Sequence, residues 1–149
     1  MPERSSWSDV ESLLPHTGVA RFLTRIHDVT ATTIDATGRV PREHALVSGT
    51  RAPSFLAIEL GAQAAAAMEA VARRASGSSG AAVRGSLVRI RDARLLQPTF
   101  SADAMVHVVV DLVASAPPLA MYTLRAHVGD TAVVEATFST HAGDAGVSA

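Results

Sequence analysis

The chain has 149 residues, 48% of them hydrophobic and 18% charged, with a formal net charge of −1, which suits one core and is too short for two. It contains no cysteine and no lysine, all 13 basic residues being arginine, so thiolate nucleophiles, disulfides, cysteine-ligated metals, Schiff-base lysines and a P-loop lysine are excluded. A near-neutral charge with one Trp and one Tyr offers neither the basic surface nor the stacking aromatics of a nucleic-acid binder. No apolar run approaches a membrane span and the start lacks the pattern of a secretory signal, so a cytoplasmic protein without membrane association is the expectation.

In chain order, Trp7 to Leu14 reads as a brief helix capped by Ser6 or Ser8 and ended by Pro15. Residues 19 to 29 and 31 to 40 read as two strands around a Thr-rich turn. Residues 41 to 53, carrying Pro, Ser, Gly and a second Pro, mark a long loop of the kind that often carries function. From Pro53 to about Ala75 strong helix formers predict the one long helix, with Pro in the tolerated first turn and Ser76 to Gly80 as the stop. Its apolar residues cover most of the circumference, which predicts burial on nearly all sides. Residues 82 to 96, 104 to 114, 119 to 128 and 131 to 141 are β-branched strand candidates separated by Pro98, Pro117-Pro118 and Gly129-Asp130, the last pair predicting a tight hairpin. The tails, about 1 to 6 and 143 to 149, are expected to fray. The whole is an α+β plan: a single domain, 1 to 149, in which a five- or six-stranded antiparallel sheet wraps one central helix. Such a sheet has exposed edges, and pairing through one of them into a dimer is the natural remedy.

Three stretches carry a family likeness. Leu14-Pro15-His16 with Arg25-Ile26 and Val29, the helix PSFLAIELGAQ from Pro53 to Gln63, and IRDARLLQP from Ile90 to Pro98 with Asp103 beyond resemble the 3-hydroxyacyl-carrier-protein dehydratases of the hotdog fold. The helix looks closest to the variant dehydratases of aryl polyene pathways. The resemblance spans roughly residues 13 to 105 and implies dehydration of a 3-hydroxyacyl chain on acyl carrier protein, in polyketide, polyene or fatty-acid assembly, without a cofactor. The family's GHFPG loop places a histidine fourteen residues before the helical Glu, which is Ala45 here, with His44 adjacent. Some variant dehydratases work as mixed dimers, so homodimer and heterodimer both stand. A hotdog thioesterase, and a non-catalytic or half-site subunit of a heteromeric dehydratase, are the alternatives.

Dehydration needs a base at C2 and an acid for the departing C3 hydroxyl. Glu59, on an apolar helix where desolvation favours the protonated form, is the candidate acid; the bland reading is a carboxylate paired with an arginine at a subunit interface. His44, on the loop before the helix, and His16, in the LPH stretch, compete as the base; each also has a bland reading, His44 as a solvated loop residue and His16 as a tie for the N-terminal segment. Gln63, four residues after Glu59, shares its face and could orient the carboxyl or a substrate group. Gly49 and Ser54, flanking the helix start, are candidate substrate contacts, and free N–H groups at that start suit the charge developing on a thioester. Ala64 to Ala67 read either as a tight helix-sheet contact or as the smooth wall of an acyl tunnel. Arg84, Arg89, Arg91 and Arg94 are candidates for docking an acidic carrier, Arg89 and Arg91 sharing a strand face. His27, His107, His127 and His141 carry only the reading of half-exposed sheet residues, and no histidine spacing matches a metal motif.

Overall fold

The computed structural model describes residues 9–77 and 85–142; the predicted caps Ser6 and Ser8, most of the helix stop, Arg84 and both tails lie outside the described residues. Six strands form one antiparallel sheet, in the order β1 (Leu23–Val29), β2 (Thr33–Gly38), β6 (Val106–Ala116), β7 (Leu119–Val128), β8 (Thr131–Ala142) and β4 (Gly85–Leu95). Two short strands, β3 (Arg51–Pro53) and β5 (Thr99–Ser101), pair separately. The helix α1, Leu56–Ala75, lies in the concave face of the large sheet. This is the hotdog arrangement.

Strand periodicity decides which face each residue takes. Along β2 and β6, Ile34, Ala36, Val106, Val108 and Val110 point inward and are fully buried. Asp35, His107 and Asp111 alternate with them on the convex face, where His107 bonds Asp35 and Thr33 donates to Asp111 at 2.6 Å. The hairpin predicted at Gly129-Asp130 forms, with Val128 opposite Thr131 and Gly129 at φ +57, a conformation that glycine adopts at no steric cost.

Two predicted boundaries shift. The helix begins at Leu56, not Pro53. Pro53 closes β3 opposite Thr99, and the Ser54 amide continues the pairing to the Pro98 carbonyl at 3.0 Å; a proline at a strand end costs no ladder bond, so the sequence signal for a helix start was met by a strand end instead. The first predicted strand likewise loses its beginning: Gly18–Ala20 is a 3-10 turn, and β1 starts at Leu23. The predicted N-terminal helix is reduced, within the described residues, to the 3-10 turn Val10–Ser12.

Alpha 1 approaches the sheet closely because its buried face is small. Ala57, Ala64, Ala65 and Ala67 are at most 1% exposed. A Cβ on Gly61 would stand 2.8 Å from the Leu124 side chain, and one on Gly38 would stand 2.3 Å from the Phe22 carbonyl oxygen, so both positions need the missing side chain. Along one stripe, Glu59, Ala62, Ala66, Glu69 and Arg73 stay partly open, at the three- and four-residue spacing of a helix face. The tight helix-sheet contact read for the alanine run is thus formed by Ala64, Ala65 and Ala67, while Ala66 lies on the partly open stripe.

Candidate active site

Glu59 sits in the first turn of α1, and the later helix start brings it to the mouth of the groove rather than mid-helix. Its Oε1 lies 3.5 Å from His16 Nε2, with 40% of the Glu59 and 29% of the His16 side chain exposed. The desolvation expected for Glu59 is thus incomplete in one chain alone. The other imidazole nitrogen of His16, Nδ1, is buried and has no hydrogen-bond partner among the described residues.

Gln63 explains why His16 can reach Glu59. Its carbonyl oxygen accepts from the Phe22 and Leu23 amides at 2.8 and 3.1 Å. Its amide nitrogen donates to the Ala20 carbonyl at 2.7 Å and, more weakly, to Glu59 Oε1 at 3.4 Å. One buried side chain thus fastens the end of the 17–22 segment to α1 and steadies the Glu59 carboxyl. Its hydrogen-bonding capacity is used within the chain, which favours the orienting role over substrate contact.

His44 stands across the mouth, its ring edge-on to Phe22 at 5.3 Å between centroids. Its Nδ1 accepts from the Leu46 amide at 3.1 Å, and a neutral ring so held carries its proton on Nε2. In this geometry His44 offers the mouth a donor, not a free base. The loop bearing it is braced where Asp103, at φ +64, accepts from Arg39 at 2.6 Å and from the Arg42 amide at 3.3 Å.

A cavity of about 360 Å³ forms the mouth, bounded by His16, His44, Phe22, Phe55, Glu59 and Ile90. It narrows to about 70 Å³ beside His16, Glu59, Ala62, Ala66, Leu87 and Thr140. The amides of Ala57 and Ile58 are taken by the Ser54 and Phe55 carbonyls; those of Phe55 and Leu56 have no acceptor among the described residues and belong to mouth-lining residues. Ser54 is fully buried, its hydroxyl unpartnered among the described residues, and it does not border the mouth. Gly49, at φ +62 in the Ser48–Arg51 turn, also stands apart from it. Arg89, Arg91 and Arg94 face Ser139, Thr137 and Glu135 on the convex side of β4, with Arg94 3.4 Å from Glu135, while Leu87 and Ile90 of that strand turn toward the groove. Sequence reasoning gave neither of these two a role in the site, nor Glu69, although the 59-62-66-69 spacing of three, four and three residues puts it on the same helix stripe as Glu59. No group of three or more His, Asp or Glu among the described residues is placed to hold a metal, and no described helix is long and apolar enough to cross a membrane.

Residues 8–146 match the ApeP-like family, described as ApeP dehydratase. The chain belongs to the ApeP-like dehydratase family. No curated protein sequence matches it. Among solved structures, the dehydratase heterocomplex ApeI:P from Xenorhabdus doucetiae superposes with a TM-score of 0.79 at 20% identity, over 91% of each chain. A homologue of HP0420 from Helicobacter felis gives 0.64 at 9% identity, over 92% of this chain and 89% of the other. A hypothetical thioesterase from Streptococcus pneumoniae, solved with coenzyme A, gives 0.55 at 15% identity, over 80% and 85%. These likenesses agree with the hotdog fold, and the family match makes this ApeP-like chain a dehydratase.

Proposed function

We propose that this chain dehydrates 3-hydroxyacyl thioesters on acyl carrier protein to 2-enoyl thioesters, in the cytoplasm, as one subunit of a hotdog dimer. The observation that carries the reading is the His16–Glu59 pair, 3.5 Å apart at the mouth of an apolar groove. In the proposed mechanism His16 takes the C2 proton and Glu59 delivers a proton to the departing C3 hydroxyl, which leaves as water. His44 Nε2 and the Phe55 and Leu56 amides serve as donors to the thioester oxygen as negative charge grows there. Gln63 acts through Glu59 and is a positioning residue. Arg89, Arg91 and Arg94 present positive charge on the strand that borders the mouth, which supports carrier docking there.

The partner reading rests on β4. It is an outer strand of the sheet, eleven residues long, and Leu87, Val88, Ile90 and Leu95 are 37 to 53% exposed along it. A second hotdog strand laid against it would complete the ladder and enclose the mouth. A half-site subunit is the second reading, favoured by the donor tautomer of His44, by Ala45 where a GHFPG loop carries histidine, and by the likeness to a heterocomplex. Incubating 3-hydroxyacyl carrier protein with the chain alone and with a co-encoded hotdog subunit, followed by mass spectrometry, separates these readings. Loss of water with the chain alone supports the full site, and loss of water only with the partner supports the half-site. Free acid in place of either would overturn dehydration in favour of thioester hydrolysis.

A further inference from the structure

Beyond the narrow neck the groove reopens into a second cavity of about 510 Å³, bordered by Leu112, Pro117, Leu119, Ala120, Tyr122 and Glu69. Glu69 borders both the neck and this distal space, and it is held in place: the buried Tyr122 hydroxyl donates to its carboxylate. Thr140, on β8, forms part of the wall of the neck facing α1. Burial, and then the neighbouring Glu69, push the Tyr122 hydroxyl well above its ordinary pKa, so it stays a donor. Between Glu59 and Glu69 the passage is lined by Ala62, Gln63 and Ala66 of α1 and by Leu87 and Thr140 of the sheet, and Gln63 has its own partners within the chain. A carboxylate fixed across such a passage favours water and hydrogen-bond donors and opposes methylene groups, which would desolvate it without replacing its bonds.

We infer that Glu69, braced by Tyr122, sets the length of acyl chain this site accepts, a specificity role that rests on the dehydratase reading for its substrate class. Glu59 and Glu69 are ten residues apart on one helix, about 15 Å at 1.5 Å per residue. An extended chain built of ~1.5 Å bonds advances roughly 1.3 Å per carbon, so a chain whose C3 lies at Glu59 meets Glu69 at about carbon fourteen or fifteen. Shorter chains end in the neck, beside Ala62, Ala66 and Leu87. Longer ones have to pass the carboxylate to reach the distal cavity.

Binding of unreactive acyl-pantetheine amides of six to eighteen carbons, measured by calorimetry on the assembled protein, tests this without requiring turnover. Wild type is expected to bind the sixteen-carbon amide at least tenfold more weakly than the ten-carbon one. The doubly substituted Glu69→Leu/Tyr122→Phe protein, which leaves no orphaned hydroxyl, should abolish or invert that ratio. Glu69→Gln keeps an acceptor for Tyr122 and should retain most of it, whereas Glu69→Met, similar in size but apolar, should lose it; equal ratios in these two variants would assign the limit to packing and overturn the role of the polar group. Affinity rising smoothly with length in wild type, or equal ratios in wild type and the double variant, would overturn the length limit. Circular dichroism identifies variants that fail to fold, for which the wild-type profile alone still decides. Failure of dehydration in a parallel turnover assay counts against the dehydratase reading and leaves the binding ratios to judge the limit.

Discussion

Replacing Gln63 by Leu removes the tie between α1 and the segment entering β1, and the structure fixes how large the loss should be. The substitution is close in volume and apolar, so it opens little cavity; what it removes is an acceptor for two buried amides and a donor to one carbonyl. Phe22 and Leu23 are at most 1% exposed, so water cannot replace the lost acceptor without opening the packing. An unsatisfied buried donor costs about 1–3 kcal/mol. Two of them, partly relieved by relaxation of the 17–22 segment, give an expected destabilisation of about 3–5 kcal/mol. For a domain near this size that corresponds to a fall in melting temperature of roughly 10 °C. Urea titration followed by circular dichroism, at matched protein concentration, should show a lower midpoint with an unchanged slope. Gln63→Glu keeps the acceptor while losing the donor to Ala20 and adding charge beside Glu59, so it should fall between wild type and Gln63→Leu. A loss under about 1 kcal/mol for Gln63→Leu would refute the reasoning, because it would mean the two amides find other partners.

Glu59→Gln, with folding intact, should lower dehydration at least about 100-fold, as loss of a general acid does, measured as enoyl product per unit time. His16→Asn should do the same, whereas His44→Asn, which retains a donor, should lose less activity than His44→Ala. Gly61→Ala should destabilise by about 1–3 kcal/mol, read from the same urea titration, because the added carbon meets Leu124 at 2.8 Å. The Tyr122 hydroxyl is held above its ordinary value of 10.0 by burial and Glu69, so the folded protein keeps a proton that the unfolded chain releases. Stability from this group is therefore fully present below pH ~10 and declines above it, by up to about 1.4 kcal/mol per pH unit; stability curves of wild type and Tyr122→Phe between pH 9 and 11 should converge as pH rises.

Strand periodicity and turn residues made the main sheet readable in advance: alternation along 106–110 and the Gly129-Asp130 pair place β6, β7 and β8 within a residue or two. The short strands β3 and β5 were hidden because three residues carry no period and both neighbour proline. The helix start failed for a related reason, since Pro53 satisfies the sequence signature of a first turn while ending a strand. Glu59, Gln63 and His16 were legible through motif spacing. The tautomer of His44 depends on one bond from the Leu46 amide, and the facing of Tyr122 toward Glu69 depends on pairing across 53 residues; no local pattern encodes either.

The bare β4 strand also bears on how such a protein is made. The opposite outer strand, β1, is blunted by two register breaks within seven residues and by outward Arg25 and Asp28, whereas β4 exposes a run of aliphatic side chains beside unpaired backbone. A copy left without its mate is a template for indiscriminate strand addition. The chain produced alone at rising concentration is therefore expected either to pair through β4 or to precipitate, and light scattering distinguishes the two outcomes.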